Sequence, residues 1–343
     1  MTATAPTPVR TSADSFSVPV VDLANDPPEA LADALVTASC AFVVNHGVDP
    51  QLRRAMVRVS KAFMDRPRER KEPFRWDGTG LWRGWQPVYE GSPELTGQRL
   101  PDLVQRFEIQ LQGRRTDDPV DLAALAESFP LWPDDPAFAA AWTRYYSACG
   151  QLAGRLFADI AARLDLPAED LPAWTDEHFA NLISNDYLAQ ETPPAPGQVR
   201  TRPHTDRGGL TLLWADDAPG GLEVLLTNGT DWIPVQIPED AFLVQAGDLL
   251  GRWTNRRIRP NVHQVVNPPA GLGAASRRMA IVYFHYPRLD AVVAPAPSCI
   301  DPAAQRTPPP PVTARDHIFR RQEQFKTYDA DGVDELLAEA AAG

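Results

Sequence analysis

Two histidines and one aspartate in the second half of the chain could together hold a metal ion. His204 and Asp206 are two residues apart, and His263 follows in a later segment. Residues two apart on a β-strand project from the same face, so His204 and Asp206 can converge on one point. Two histidines and one carboxylate with open opposite positions are the ligand set of non-haem Fe(II) oxygenases. A His-x-Asp pair alone is weak evidence, since short polar pairs also arise by chance.

Two arginines that follow His263 could bind a carboxylate group. Arg277 and Arg278 begin a run of alternating side chains that is typical of a β-strand. A guanidinium group forms two parallel hydrogen bonds with a carboxylate, which fixes both the position and the orientation of the ligand. Alternation places Arg277 and Arg278 on opposite faces of the strand, so only one of them can face the metal site.

The segment that contains these residues has the pattern of an antiparallel β-structure. Short runs rich in β-branched and aromatic residues are separated by Gly, Pro, Asn and Asp, which is typical of a sandwich or barrel. The predicted strands lie within Thr205–Trp214, Gly220–Val224, Trp232–Val235, Phe242–Leu250, Val262–Val266 and Arg278–Phe284.

The combination of motifs resembles the isopenicillin N synthase-like branch of the Fe(II)/2-oxoglutarate-dependent oxygenases. The matching motifs are His204-Thr205-Asp206, Gly220-Gly221-Leu222-Glu223-Val224, Gly247-Asp248, His263-Gln264-Val265 and Arg278-Met279-Ala280. The resemblance implies a mainly β fold with flanking helices. Its parts are a double-stranded β-helix (jelly-roll) core, an N-terminal α/β region and a long spine helix.

The resemblance also implies the ligands of this site. Fe(II) would be held by His204, Asp206 and His263, with 2-oxoglutarate as co-substrate and O2 as oxidant. Because Asp206 supplies the carboxylate that halogenases of this type lack, we expect no halogenation.

The resemblance assigns a clamp for the far carboxylate of 2-oxoglutarate. We prefer Arg278, because the family register places the third residue of Arg-x-Ser, here Ala280, beside the co-substrate. Asn185 and Tyr187 match an Asn-x-Tyr motif that the family often uses before the His-x-Asp. With alanine in place of serine, the closing strand is similar to bacterial members such as the ethylene-forming enzyme.

Four residues are candidates for contact with the substrate. Arg83 and Trp85 belong to an aromatic, glycine-rich stretch that lines the pocket in the family, although its tryptophans could equally pack on the core. Trp253 lies in an arginine-rich stretch that a solvated turn would also explain. Phe284 shares the strand face of Arg278.

The chain divides by pattern into four segments. These are a tail at 1–17, an α/β region with pocket loop and spine helix at 18–175, the catalytic core at 176–290, and a connector with helices at 291–343. The apolar spacing predicts helices over Glu29–Ser39 and Asp135–Leu164, and Asp49 is placed to cap a helix that ends near Met64. We expect His46 and His285 to be structural, and His178 to lie at the surface or at a helix end.

Composition narrows the choice of partners. A net charge of −12 over 343 residues argues against nucleic acid or a membrane surface. Three scattered cysteines favour a reducing cytoplasm, and no apolar run is long enough for a transmembrane helix. We expect a small-molecule substrate and a monomer or weak homo-oligomer.

These features lead to one expected reaction and three alternatives. We expect oxidation of an unactivated C–H bond, most simply hydroxylation, with desaturation, epoxidation and ring closure as variants, in bacterial natural-product or amino-acid-derived metabolism. The alternatives are an isopenicillin N synthase-type oxidase that does not use 2-oxoglutarate, an ethylene-forming-type enzyme, and a metal-free jelly-roll binding module.

Overall fold

The computed structural model describes residues 17–76, 83–88, 102–112, 127, 131–219, 221–226, 229–303 and 307–326, without the side chains of 112 and 321–326. The strands are β1 (Val20–Asp22), β2 (Cys40–Val44), β3 (Gly84–Gln86), β4 (Gln105–Gln112), β5 (Phe179–Tyr187), β6 (Thr201–His204), β7 (Leu210–Ala215), β8 (Leu222–Leu225), β9 (Trp232–Pro234), β10 (Phe242–Ala246), β11 (His263–Val265), β12 (Arg278–Tyr286), β13 (Val292–Val293) and β14 (Val312–Thr313). The α-helices are α1 (Ala30–Ala38), α2 (Pro50–Met64), α3 (Arg68–Lys71), α4 (Pro136–Leu164), α5 (Leu171–Thr175), α6 (Asp248–Trp253) and α7 (Ala314–Lys326).

Two facing β-sheets form the centre of the molecule. The major sheet has eight strands in the order β1-β2-β10-β7-β12-β5-β4-β3, and the minor sheet has four in the order β6-β11-β8-β9. Apolar side chains from both sheets pack together, with Leu213 and Val282 from the major sheet and Leu222 and Val265 from the minor sheet. The predicted mainly β fold with flanking helices is confirmed.

The other face of the major sheet is covered by helices. The side chains of β4 that face the helices, such as Phe107 and Ile109, pack in one cluster with Trp142 and Leu156 of α4. Helix α4 begins where Asp135 accepts a hydrogen bond from the Ala137 backbone N–H at 2.9 Å, which satisfies one of the free donors of the first turn. The predicted spine helix is therefore present, and it fixes the strands that carry the site.

Strands from the N-terminal region belong to the same sheet as those of the predicted core. β2 pairs with β10, and β4 pairs with β5. Asp49 caps α2 as predicted, since its side chain accepts a hydrogen bond from the Gln51 backbone N–H at 2.8 Å. The segments 18–175 and 176–290 thus share one continuous layer of backbone hydrogen bonds.

The prediction that the strand from Phe242 continues to Leu250 is wrong, because helix α6 begins two residues after the end of β10. The backbone N–H groups of Asp248 and Leu249 donate to the carbonyls of Asp206 and Gly208, at 2.7 and 2.9 Å. A Cβ at Gly247 would lie 2.4 Å from the Gly208 carbonyl oxygen, so only glycine permits this close approach. The chain therefore turns into a helix against the loop that carries Asp206.

His178 lies just after the end of α5, where its Nδ1 is 3.3 Å from the Thr175 carbonyl, but the prediction of a surface position is wrong. His178 is completely buried, and its Nε2 lies 2.9 Å from the hydroxyl of Tyr283. Its ring stacks on that of His285 with 4.7 Å between centroids, and His285 in turn packs on Phe157. Hydrogen bonds hold His178, and ring stacking holds both histidines, in the layer between the major sheet and the helices.

The buried position of His285 predicts a loss of stability in mild acid. Burial, helped by the charge of His178, lowers the pKa of His285 well below its usual value of 6.5. Below pH 6.5 the unfolded chain takes up this proton and the folded chain does not, so stability falls as the pH drops. At pH 5.5 we expect the loss from His285 to be on the order of 1 kcal/mol.

Urea unfolding of the metal-free protein at pH 7.5 and 5.5 measures this effect. We expect His285→Phe and His285→Gln to lose less stability than the wild type between the two pH values, whatever their offset at pH 7.5. Equal losses in the wild type and both variants would contradict this origin of the acid sensitivity.

Helix length and cysteine pairing relate to the expected setting of the protein. In the part of the chain that the structure describes, no helix is both long and apolar enough to cross a membrane. All three cysteines are free, and Cys40 and Cys149 are buried.

Candidate active site

The three predicted metal ligands meet between the two sheets. His204 ends β6 and lies directly opposite His263, the first residue of β11, in an antiparallel pair. Asp206 follows β6 in the tight loop that contacts α6. The Nε2 atoms of both histidines lie 3.8 Å from Oδ1 of Asp206. Strand pairing and one tight loop therefore place all three side chains together.

Hydrogen bonds orient each of these side chains toward their common centre. Nδ1 of His204 donates to the Arg202 carbonyl at 2.8 Å, and Nδ1 of His263 lies 3.2 Å from the Asn261 carbonyl. Both Nε2 atoms then face the common centre, where they could coordinate a metal. Oδ2 of Asp206 accepts from the Thr211 hydroxyl at 2.5 Å, which leaves Oδ1 facing the histidines.

Burial also sets the charge of two of the ligands. It lowers the pKa of His204 well below its usual range, so this imidazole is neutral and able to coordinate at neutral pH. Burial raises the pKa of Asp206 in the metal-free protein. A divalent cation would compensate the buried carboxylate charge and keep the group ionised.

These residues fit a single mononuclear metal ion. The three donor atoms all lie within 4.8 Å of one another, and no larger group of His, Cys, Asp or Glu occurs within the described ranges. The donors come from one side, and the cavity occupies the other, so a bound ion would keep open positions for small ligands. This arrangement suits non-haem Fe(II).

A cavity extends from the metal site across the inner faces of both sheets. It encloses ≈ 630 Å³ of space not filled by atoms, part of it open to solvent. Its position between the two sheets suits a small organic molecule. Of the predicted site residues, the lining includes His204, Asp206, His263, Asn185, Tyr187, Arg278, Ala280 and Phe284.

Arg278 and its neighbours form one end of the cavity. Arg278 lies directly opposite Tyr187, and Ala280 opposite Asn185, in the pairing of β12 with β5. Arg278 is buried, and burial lowers the pKa of its guanidinium while the Tyr187 and Asp216 side chains raise it. The buried Oδ1 of Asn185 has no hydrogen-bond partner among the described residues. The buried cation at this end suits an anionic co-substrate.

Arg277 points away from the cavity. Its guanidinium forms a two-pronged pair with the buried carboxylate of Asp186, at 2.8 and 3.1 Å, and donates to Asp65 at 2.6 Å. The geometry therefore favours Arg278 over its neighbour as the carboxylate clamp, in the manner that strand alternation predicts.

The structure does not bring Arg83, Trp85 or Trp253 to the cavity. Trp85 lies opposite Phe107 on the helix side of the major sheet, where its indole donates to Gln105 at 3.1 Å. Trp253, in α6, stacks on Trp174 with 4.8 Å between ring centroids. Both indoles belong to the core, so the expectation that they contact substrate needs correction. Arg83 is half-buried beside β3 and does not line the cavity either.

Sequence reasoning missed several polar residues that do line the cavity, namely Arg106, Thr201, Thr211 and Gln245. Arg106 belongs to β4, whose alternation of polar and apolar residues is visible in the sequence but does not reveal which face is enclosed. The unpaired Oε1 of Gln245, whose amide nitrogen donates to Asn261 at 2.7 Å, lies at the metal end of the cavity.

Two facing sheets that enclose a His-Asp-His site beside a buried arginine define a class of non-haem iron oxygenase. Comparisons with known proteins identify the family. The profile of the 2OG-Fe(II) oxygenase superfamily matches residues 179–287, and that of the non-haem dioxygenase N-terminal region, described from morphine synthesis, matches residues 18–135. Validamycin A dioxygenase of Streptomyces hygroscopicus subsp. limoneus is 31% identical over 284 residues, 78% of this chain and 76% of that protein. The chain therefore belongs to the 2OG-Fe(II) oxygenase superfamily.

Further relatives agree with this assignment. The 2-oxoglutarate-dependent dioxygenase caaD of Aspergillus niger is 29% identical over 255 residues, 73% of this chain and 74% of that protein. Full-length Neurospora crassa T7H, solved in complex with α-ketoglutarate, has the same fold with a TM-score of 0.76 at 24% identity, over 91% of this chain and 98% of that one. The protein is a 2-oxoglutarate-dependent dioxygenase with a jelly-roll core, and its cofactors are Fe(II), 2-oxoglutarate and O2.

Proposed function

We propose that this protein hydroxylates an unactivated C–H bond of a small organic molecule, its prime substrate. The observation that carries the proposal is a His-Asp-His site that opens into the same cavity as Arg278. In the balanced reaction, 2-oxoglutarate, O2 and R–H give succinate, CO2 and R–OH. One oxygen atom enters succinate and the other enters the product.

In this mechanism the side chains bind, orient and exclude water. His204, Asp206 and His263 would hold the iron, which supplies the O2 chemistry that amino-acid side chains cannot perform. Arg278 binds the far carboxylate of 2-oxoglutarate, and Asn185 and Tyr187 support it from the neighbouring strand.

The apolar cavity wall completes this arrangement. Ala280, where the family usually has serine, leaves room beside the co-substrate and no hydroxyl contact. The wall formed by Val282 and Phe284 keeps the reacting C–H bond in a dry environment.

Other outcomes of the same site rank lower. Desaturation, epoxidation and ring closure begin with the same removal of hydrogen, and the prime substrate decides between them. An oxidase that does not use 2-oxoglutarate and a metal-free binding module are disfavoured by the relatives, which are 2-oxoglutarate-dependent dioxygenases. The presence of Asp206 disfavours halogenation. The similarity of the closing strand to the ethylene-forming enzyme, and bacterial natural-product metabolism as the setting, remain predictions.

We also keep the expected setting of the reaction as a proposal. Three free cysteines suit a reducing cytoplasm. We propose a protein that works as a monomer or weak homo-oligomer on a small molecule and without nucleic acid.

An anaerobic reconstitution tests the proposed function. Fe(II) and then 2-oxoglutarate are added to the metal-free protein, and we expect the weak visible charge-transfer band of the chelated keto acid. O2 is then admitted with candidate substrates, and we expect succinate together with a product that has gained one oxygen atom. Iron binding without the band would favour an oxidase, and failure to bind iron would contradict the proposal.

A further inference from the structure

Arg106 stands on the cavity side of β4, two strands away from the strand that carries Arg278. It lies opposite Asn185 of β5, which lies opposite Ala280 of β12, so all three share one sheet face. With strands ~4.8 Å apart and a rise of ~3.4 Å per residue, the Cα atoms of Arg106 and Arg278 are roughly 12 Å apart. The two arginines therefore face different parts of one cavity.

Arg106 shares its cavity with the metal ligands His204, Asp206 and His263. Arg106 is only partly buried and lines the cavity. A group bound by Arg106 would thus lie beside the metal site, where the molecule to be oxidised must also lie.

The acidic neighbours of Arg106 already have other partners. Glu108, on the same strand face, accepts hydrogen bonds from Asn181 at 2.6 Å and Gln86 at 2.8 Å, and burial raises its pKa to about 7. Asp102 accepts from Nε of Arg202 at 3.1 Å. The guanidinium of Arg106 makes no hydrogen bond or close ion pair with a side chain or backbone group that the structure describes.

The charge of Arg106 acts on Glu108 and Asp102, but neither of these acids lines the cavity that Arg106 faces. The two positive charges of Fe(II) balance the two negative charges of 2-oxoglutarate, and Asp206 balances Arg278. Asp206 is the only acidic residue among the described residues that line the cavity. A partly buried cation in this position favours an anionic ligand.

We propose that Arg106 binds an anionic group of the prime substrate, so that the substrate is a small organic carboxylate. This inference rests on the proposed function, since it takes 2-oxoglutarate to occupy the Arg278 end. The guanidinium would pair with the carboxylate through two parallel hydrogen bonds and hold the rest of the molecule against Phe284 and Ile183, beside the metal.

The test uses three probes of nearly equal size and different charge: phenylacetate, phenylacetamide and 2-phenylethylamine. They are titrated under nitrogen into protein loaded with Fe(II) and saturating 2-oxoglutarate, and binding is followed by calorimetry and by changes in the visible band. Saturation with 2-oxoglutarate keeps the probes away from Arg278. We expect the wild type to bind phenylacetate in preference to the other two.

Variants at Arg106 should change this preference and leave the co-substrate in place. We expect Arg106→Gln to raise the Kd of phenylacetate at least roughly tenfold, the effect of losing a charged hydrogen bond, with little change for phenylacetamide. Arg106→Lys should retain part of the preference, and Arg106→Glu should favour 2-phenylethylamine. Arg58→Gln, at an exposed position of α2, makes the same change in net charge and should behave as the wild type.

The possible negative results distinguish failure of this inference from failure of the proposed function. Loss of the 2-oxoglutarate band in an otherwise folded Arg106→Gln would place Arg106 in the co-substrate site and overturn the inference. It is also overturned if wild type binds no phenylacetate, or binds phenylacetamide as tightly. Absence of the band in the wild type would instead refute the proposed function.

Discussion

Replacement of His263 with alanine is expected to abolish tight Fe(II) binding and with it the 2-oxoglutarate band and succinate formation. His263 supplies one of three donor atoms that lie within 4.8 Å of one another. Removal of a partner that only supports a metal ligand typically costs roughly 10- to 100-fold in affinity or activity. Loss of the ligand itself should exceed that range.

Anaerobic calorimetry with Fe(II) and the iron content after gel filtration measure this change. His46→Gln is the control, because His46 lies outside the cavity lining and its Nδ1 accepts a hydrogen bond from the backbone of Val48. We expect this control to bind iron as the wild type does. Normal iron affinity in folded His263→Ala protein would exclude the His-Asp-His site.

Glutamine at Arg278 and glutamine at Arg277 are expected to affect different properties, 2-oxoglutarate affinity in the first case and stability in the second. Arg278→Gln should raise the Kd of 2-oxoglutarate roughly 30-fold or more, since truncation of one partner of a buried charge pair typically costs 2–5 kcal/mol. The fold should tolerate this change, because Arg278 faces the cavity. The charge-transfer band, titrated with 2-oxoglutarate under nitrogen, gives the Kd without a known prime substrate.

Arg277→Gln should leave the Kd of 2-oxoglutarate within roughly threefold and reduce stability instead. The buried carboxylate of Asp186 would lose its two-pronged partner. Breaking a buried pair typically costs 3–5 kcal/mol, and we expect roughly 2–3 here because 34% of the Arg277 side chain is exposed. Urea unfolding measures this loss. A weaker grip on 2-oxoglutarate in this variant, with normal affinity in Arg278→Gln, would reverse the assignment.

Local patterns in the sequence predict much of the site. The spacing of His204 and Asp206 and the alternation along β12 depend only on backbone geometry, which is the same in every strand. The cap at Asp49 and the long helix α4 also follow from neighbouring residues, because capping and helical periodicity act over a few positions.

The features that the sequence does not predict depend on partners far along the chain. The sequence around Trp253 is compatible with a pocket-lining side chain and with a core side chain. Trp253 lies in the core because its ring stacks on that of Trp174, which is distant in sequence. His178 is polar, but Tyr283 and His285 give it partners inside the molecule. Arg106 lies on the polar side of an alternating strand, and only the minor sheet turns that side into a cavity wall.

The shared sheet has a consequence for how the chain is made. β10 has β2 on one side and β7 on the other, and β5 has β4 as its outer neighbour. A fragment that began at residue 176 would leave two long strands with unpaired edges, which are prone to join other chains. β1 and β2 are synthesised some two hundred residues before β10. They cannot join the major sheet until β10 has been made. Such distant pairings are slow to form, so the order of translation exposes this protein to aggregation before the iron site exists.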